Sequence, residues 1–303
     1  MLKKIIKVVK QPNLLVHFLI KNLKIFRLIS DESYLKINYK LRTRKKLNLE
    51  NPKTFNEKLQ WLKVYNQKPE YTKMVDKYEM RDYVAQTIGE KYLIPLLGVY
   101  NSYDEIDFDV LPEQFVLKPN HTSGDVYICQ DKTKIDHPKL KKEINKWLNR
   151  EYYWIHREWP YKNVKPRIIC EKFLVDVSGT GLKDYKFMCF NKEVKCIFVC
   201  SNRASQDGVN IDIYDINWKL MPFVRKQHPN SGILTPPPKY YNEMLDIAHE
   251  LSKVAPFIRV DFYETNGMLF IGELTFYPGS GYEEFNPQIY DEVLGNWLDI
   301  QKI

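Results

Sequence analysis

The sequence predicts an α+β protein with antiparallel sheets, and three observations carry that expectation. Beyond the N-terminal segment, helix-period apolar spacing is confined to three stretches, near residues 51–98, 137–153 and 240–252. From Phe115 onward the texture is strand-like, in runs that follow one another instead of alternating one by one with helices. The last such run, FIRVDFYETNGMLFIGELTF, folds back on itself around Asn266-Gly267, a hairpin turn signal. At 303 residues the chain can bury a substantial core and hold more than one subdomain. Its 44% hydrophobic and 28% charged residues are ordinary for a folded protein, and 14% aromatic residues suit an extended cleft or a well-packed core equally.

The first 50 residues hold 13 Lys and Arg against 3 Asp and Glu, whereas the rest, with 33 against 35, is nearly neutral. The overall charge of +8 therefore belongs to the N-terminal segment. Within it, lysines interleave with Ile, Leu, Val and Phe, and the longest uncharged run, Gln11 to Ile20, is shorter than the about 20 residues a spanning helix needs. No small-residue cleavage site follows, which speaks against a signal peptide. Two readings stay open for residues 1–30: an interfacial helix on an anionic membrane surface, or an amphipathic helix docked on the protein's own core. Nucleic acid is not an expected partner, because the charge elsewhere is balanced and no recognition module is visible. Five cysteines without a C-x-x-C pair sit in or at the end of apolar runs, which predicts buried free thiols in a reducing, cytoplasmic setting and no zinc site.

Residues 51–110 read as helical. Asn51-Pro52 or Thr54 starts one helix before Phe55, Leu59 and Leu62, and a second runs from about Tyr71 to Gly89. The strand runs are then QFVLKP, VYICQ, RIICEKFL, DYKFMCF, VKCIFVCSNR and the final hairpin. Helices are expected from His137 to about Tyr153 and from Tyr240 to Ser252, the latter with Met244, Ile247, Ala248 and Leu251 on one face. Pro236-Pro237-Pro238 marks a stiff linker. The expected division is 1–50 basic segment, 51–110 helical region, 111–175 first subdomain and 176–303 second subdomain.

The hairpin holds the most chemically pointed residues: Arg259, Asp261 and Glu273. If Asn266 and Gly267 alone form the loop, Asp261 lies opposite Gly272 and Glu273 points to the other face. A three-residue loop closed by Gly267 sets Arg259 opposite Glu273 and Asp261 opposite Ile271, so the three charges share a face with Ile258, Val260, Phe262, Phe270, Leu274 and Phe276 behind them. The apolar pattern favours the second register. Two carboxylates on one face can hold Mg²⁺, and an arginine beside them suits a phosphate; the plain alternative is a solvated surface ion pair.

Three further clusters are softer signals. In FVLKPNHTSGDVYI, Lys118 near a strand end leads into a polar loop with Ser123 and Gly124, which could lay backbone N–H groups over phosphates. In IICEKFL, the strand opens at Glu171, Lys172, Phe173 and Leu174, where edge backbone groups could meet a purine. In DYKFM, Asp184 and Lys186 share a strand face and suit a ribose-triphosphate. Ordinary hairpins and strand ends look the same. Asp107-Phe108-Asp109 is a D-x-D of the kind that chelates a metal-bound sugar nucleotide in glycosyltransferases, but it is short and sits in an acidic stretch, so chance is the better explanation. Arg157, Lys162 and Arg203 are the candidates for holding an acidic substrate.

Taken together, DKYEMRDYV, FVLKPNHTSG, DYKFMCF, RVDFY and GELTFYPGSG resemble the TupA-like ATP-grasp family of teichuronopeptide and surface-polysaccharide synthesis, from about residue 50 onward. The resemblance implies two α+β subdomains grasping ATP, and a carboxylate–amine ligation through an acyl phosphate that modifies a surface or capsular polysaccharide precursor. It implies that Lys118 and Lys186 bind phosphates, Glu171 to Leu174 form the adenine hinge, and Asp184 meets the ribose. Asp261 and Glu273 would be Mg²⁺ ligands, with Thr275 a weak one, and Arg259 would stabilise the transferred phosphoryl. Two departures stand out: Thr275 replaces the asparagine of the general pattern, leaving a second metal in doubt, and Thr122 stands where glycine is expected, stiffening the loop. A glycosyltransferase built on Asp107 and Asp109 and a non-catalytic nucleotide-binding module at the membrane are the rival readings. Peripheral contact with the inner face of a membrane is the expectation attached to the basic segment.

Overall fold

The computed structural model describes residues 24–175, 182–202 and 208–302. Among them α1 (Asp31–Thr43) is capped by Ser30, whose hydroxyl accepts from the Ser33 amide. Helix α2 (Phe55–Tyr65) starts at Thr54 with both halves of a capping box, Thr54 and Glu57, in place. The single helix expected from Tyr71 to Gly89 is instead two, α3 (Glu70–Val75) and α4 (Met80–Ile88). The Asp76 carboxylate interrupts it by accepting from the backbone amides of Tyr78 and Glu79 at 2.8 and 3.3 Å. Gly89, at φ 105°, ends α4.

A four-stranded antiparallel sheet follows, in the order β1 (Leu96–Tyr100), β4 (Ile168–Lys172), β2 (Phe115–Pro119), β3 (Tyr127–Cys129). Strand β1 falls in a stretch read as helical; it is half-exposed throughout and shows no alternation. Helix α5 (His137–Leu148), capped by Asp136, covers this sheet with Leu140, Ile144 and Trp147. It stops five residues short of the expected Tyr153, where a single turn, α6 (Tyr153–His156), takes over.

The second sheet has the order β10 (Met268–Thr275), β9 (Phe257–Thr265), β5 (Asp184–Phe190), β6 (Glu193–Ser201), β7 (Asn210–Asp215), with every pair antiparallel. Strands β8 (Val224–Arg225) and β11 (Phe285–Asn286) form a small ladder. Helix α7 (Tyr241–Ser252) buries Met244, Ile247, Ala248 and Leu251, and α8 (Tyr290–Trp297) packs against α2. The α+β architecture with two antiparallel sheets agrees with the sequence.

The largest core joins the second sheet to α2, α3 and α4, so the helical region is part of the body that carries the hairpin. A second core lies under the first sheet, and a third ties α1 to Leu47, Leu49 and Tyr282. All five cysteines are buried and free. No helix among the described residues is long and apolar enough to cross a membrane. Residues 1–23 of the basic segment lie outside the described residues, and so does Arg203.

Candidate active site

The β9–β10 hairpin realises neither expected register. Its loop is two residues, Asn266 and Gly267, at φ 52° and 74°, which is the signature of a type I′ turn. From there Met268 pairs with Thr265 and Ile271 with Phe262, the register that would have sent Glu273 to the wrong face. A β-bulge at Gly272 then adds one residue, so that Glu273 pairs with Asp261, Leu274 with Val260 and Thr275 with Arg259. The expected pairing of Arg259 with Glu273 and Asp261 with Ile271 is thus corrected, yet the shared face survives through the bulge. Gly272 suits the bulge because the Tyr263 ring lies over it: a Cβ there would come within 2.7 Å of that ring. Phe270, placed in the apolar layer by the sequence, pairs with Tyr263 on the charged side, and Ile271 takes its place opposite Phe262.

Strand β5 continues this face, with Lys186 opposite Asp261 and Asp184 opposite Tyr263. The resulting network is short and dense. Arg259 Nε donates to Asp261 Oδ1 at 2.6 Å, and its Nη2 reaches Asp261 Oδ2 and Glu273 Oε1, both at 2.7 Å. Lys186 Nζ lies 2.5 Å from Asp261 Oδ2 and 2.7 Å from Asp184 Oδ2. Thr275 Oγ1 is 3.4 Å from Glu273 Oε1. The Asp184 and Asp261 side chains are almost wholly buried, whereas Glu273 keeps 30% of its side-chain surface open.

Burial alone would raise both platform carboxyls, and the cations around them act in the opposite sense. Burial wins at Asp261, which is raised despite Arg259 and Lys186. At Glu273 the combined fields of Arg259, Lys77, Lys186 and Lys118 overcome burial and hold the carboxyl far below its ordinary value. Arg259 and Lys186 are both raised: burial opposes their charge, and the carboxylates outweigh it. Buried ion pairs are weak contributors to stability, so a network this concentrated marks a binding site better than a stabilising device.

The first sheet brings its own cation to the same place. Lys118 on β2 holds Glu171 of β4 at 2.7 Å, and Arg81 of α4 stands 3.7 Å from the other oxygen of that carboxylate. Lys77, between α3 and α4, was not singled out from the sequence, although it stands in the DKYEMRDYV stretch that carried part of the resemblance. Its Nζ donates to the Thr122 carbonyl at 2.5 Å, and burial lowers its pKa while Glu273, Glu171 and Asp76 pull it up. Ser123 and Gly124 form the exposed tip of the loop, with Gly124 at φ 85°. Residues 171–175 lead from the first sheet towards the second; Phe173 and Leu174 are half-buried there and Lys172 is exposed.

Several expected contacts fall elsewhere. The Asp184 carboxylate is taken up by Lys186 instead of standing free for a ribose, and Glu171 is held by Lys118. Arg157 is 2% exposed: it pairs with Asp31 at 2.6 Å, donates to the Phe26 carbonyl and stacks on Tyr34 and Trp154. That makes it an anchor of the N-terminal helix and not a substrate contact. Lys162 sits 5.4 Å from the Tyr153 ring on the same segment. Asp107 spends its carboxylate on the Asp109 amide within an exposed loop.

Among the described residues no group of three or more His, Cys, Asp or Glu side chains is placed to hold a metal. What fits Mg²⁺ is the pair Asp261 and Glu273, directly opposite across β9 and β10, because this ion takes one or two carboxylates and completes its shell with water and phosphate oxygens.

A family model described as TupA-like ATPgrasp matches residues 57–299. The chain belongs to the TupA-like ATP-grasp family. No curated protein matches it in sequence. Solved structures similar to it include the D-alanine–D-alanine ligase of Bacillus anthracis complexed with ATP, at 14% identity and TM-score 0.41, covering 76% of this chain and 66% of that one. The ATP-grasp ligase PsnB with its minimal precursor gives 9% and 0.42, covering 81% and 68%. The D-cycloserine synthetase DcsG gives 14% and 0.39, covering 75% and 71%. The chain spans about two thirds of the length of the first of these, and likenesses this loose speak to neither substrate nor residue roles.

Proposed function

We propose that this TupA-like ATP-grasp protein is an ATP- and Mg²⁺-dependent ligase that joins a carboxylate to an amine. In that reaction a carboxylate oxygen attacks the γ-phosphorus and ADP leaves; the amine then attacks the acyl carbon, phosphate leaves and the amine gives up a proton. The observation that supports this most is Arg259 bridging Asp261 and Glu273, with Lys186 beside it and Lys118 and Lys77 acting on Glu273 from the other side.

Each group has a role that follows from its place. Lys118, Lys77 and Lys186 neutralise phosphate charge, and the Ser123-Gly124 tip offers backbone N–H groups to it. Asp261 and Glu273 would hold Mg²⁺, which when bound would shield the triphosphate charge, and Thr275 stands beside Glu273 at 3.4 Å. Arg259, whose fork of donors lies against both carboxylates, is placed to bind and orient the phosphoryl group in transfer. The backbone of Lys172 to Leu174, with Phe173 and Leu174 half-buried, is the surface offered to adenine.

The acceptor is a precursor of a surface polysaccharide, carrying a uronic acid or receiving an amino acid. Support for this is the family's TupA-like description and the excess of 10 basic charges in residues 1–50, which suits an anionic, lipid-linked substrate or membrane surface. ADP and phosphate release measured across a panel of acidic sugars, amino acids and amines tests the reading. Turnover that persists in Glu273→Ala and Lys118→Ala would reject it. Vesicle association that is unchanged by deleting residues 1–30 would reject the membrane contact.

A further inference from the structure

The loop between β2 and β3 is far more constrained than a short polar loop needs to be. At its entrance, Asn120 is locked to the neighbouring strand end: its amide donates to the Arg167 carbonyl at 3.0 Å, and its side chain accepts from the Arg167 amide at 2.7 Å and donates to the Lys165 carbonyl at 2.9 Å. In the middle, Lys77 donates to the Thr122 carbonyl. At its exit, one carboxylate oxygen, Asp125 Oδ2, accepts both the Thr122 hydroxyl at 2.9 Å and the Arg150 guanidinium in a short contact. The Asp125 and Arg150 side chains are 14% and 27% exposed, so the pair is sheltered from solvent and from screening. Thr122 is buried, and between it and Asp125 only Ser123 and Gly124 remain exposed.

We propose that Thr122, Asp125 and Arg150 form a brace that fixes the phosphate loop in its binding geometry, making Asp125 and Arg150 positioning residues for ATP. The proposal rests on the reading of residues 120–125 as the phosphate loop. A glycine at 122 would leave the loop free to open; the threonine hydroxyl cross-links it to Asp125, and Arg150, two residues beyond α5, ties that carboxylate to the helical layer over the first sheet. A loop pre-set in this way gives up little conformational entropy when phosphates bind, and that saving appears as affinity for the phosphates and not for the base.

The test compares wild type, Arg150→Met, Arg150→Lys and Asp125→Asn for binding of MgATP and of adenosine by calorimetry, with amide hydrogen exchange over residues 120–126. Loss of one charge-assisted hydrogen bond is expected to weaken MgATP binding about 10-fold in Arg150→Met and Asp125→Asn while leaving adenosine binding unchanged. Exchange over 120–126 rises in both variants, and Arg150→Lys recovers most of the affinity. Equal losses for MgATP and adenosine would show a general structural role and overturn the brace, as would wild-type affinity and exchange in Arg150→Met. If MgATP gives no protection to 120–126 in the wild type, the phosphate-loop reading itself fails and the brace falls with it, a result distinct from protection in the wild type that Arg150→Met leaves unaltered.

Discussion

Replacing Gly272 with alanine probes the single residue on which the geometry of the charged platform turns. The added Cβ would lie 2.7 Å from one Tyr263 ring carbon and 3.3 and 3.4 Å from two others, and the backbone there is not in the left-handed region, so the penalty is steric. Two responses are open to the hairpin. The ring can move, at the overpacking cost of about 1–3 kcal/mol typical of an extra methyl in a packed site. Alternatively the bulge is lost, the two-residue turn register runs the length of the strands, and Glu273 passes to the face opposite Asp261. In either case urea denaturation should show Gly272→Ala destabilised by about 1–3 kcal/mol. Because the clash is with one ring, the same substitution made in a Tyr263→Leu background should cost less, with a coupling of about 1–2 kcal/mol in the double-mutant cycle. Full additivity of the two changes would refute the claim that the Tyr263 ring selects glycine at the bulge.

Two further outcomes follow from burial. His121, buried and 4% exposed, is pushed down to about 4 from 6.5 by desolvation and the nearby Lys77 charge. Its folded-state pKa lies below its unfolded one, so stability is lost as pH falls from about 6.5 through 4. His121→Gln should remove about 3 kcal/mol of that acid dependence in denaturation curves taken across the window, and an unchanged slope would count against a buried neutral imidazole. Arg157→Met should lower stability by about 3–5 kcal/mol, because it strips Asp31 of its buried cation, while MgATP binding measured by calorimetry stays within about twofold; a selective loss of ligand binding would return Arg157 to the site.

Local chemistry is what the sequence exposed well. Thr54, one of the two start signals read before Phe55, caps α2, Gly89 marks the end of α4, and the Asn266-Gly267 turn the final hairpin, because each signal is contained in a few adjacent residues. The convergence of Arg259, Asp261 and Glu273 was legible as a requirement of face, although the register given for it was wrong. The bulge that repairs the parity depends on Tyr263, a residue of the partner strand, and nothing in the spacing of β10 reveals it. Lys77 was missed for a similar reason: it reaches the site from between two helices, over 40 residues from the loop it contacts. Asp184 and Arg157 illustrate the converse, since a charged residue in a sequence carries no mark of whether its partner is a ligand or another part of the chain. Here Lys186 and Asp31 take those places.

Calorimetric titration of ATP with and without Mg²⁺, in the wild type and in Glu273→Gln, tests the central claim most directly. Glu273 is the more open of the two platform carboxylates and is held ionised by four cations, so its neutral isostere removes a metal ligand with little change of shape. The platform requires that wild-type binding be strengthened by Mg²⁺, and that the Mg²⁺-dependent part fall at least 10-fold in Glu273→Gln, as expected for loss of one charged ligand. ATP binding that is the same in chelator as in Mg²⁺, or a Mg²⁺ effect that Glu273→Gln leaves intact, would contradict it.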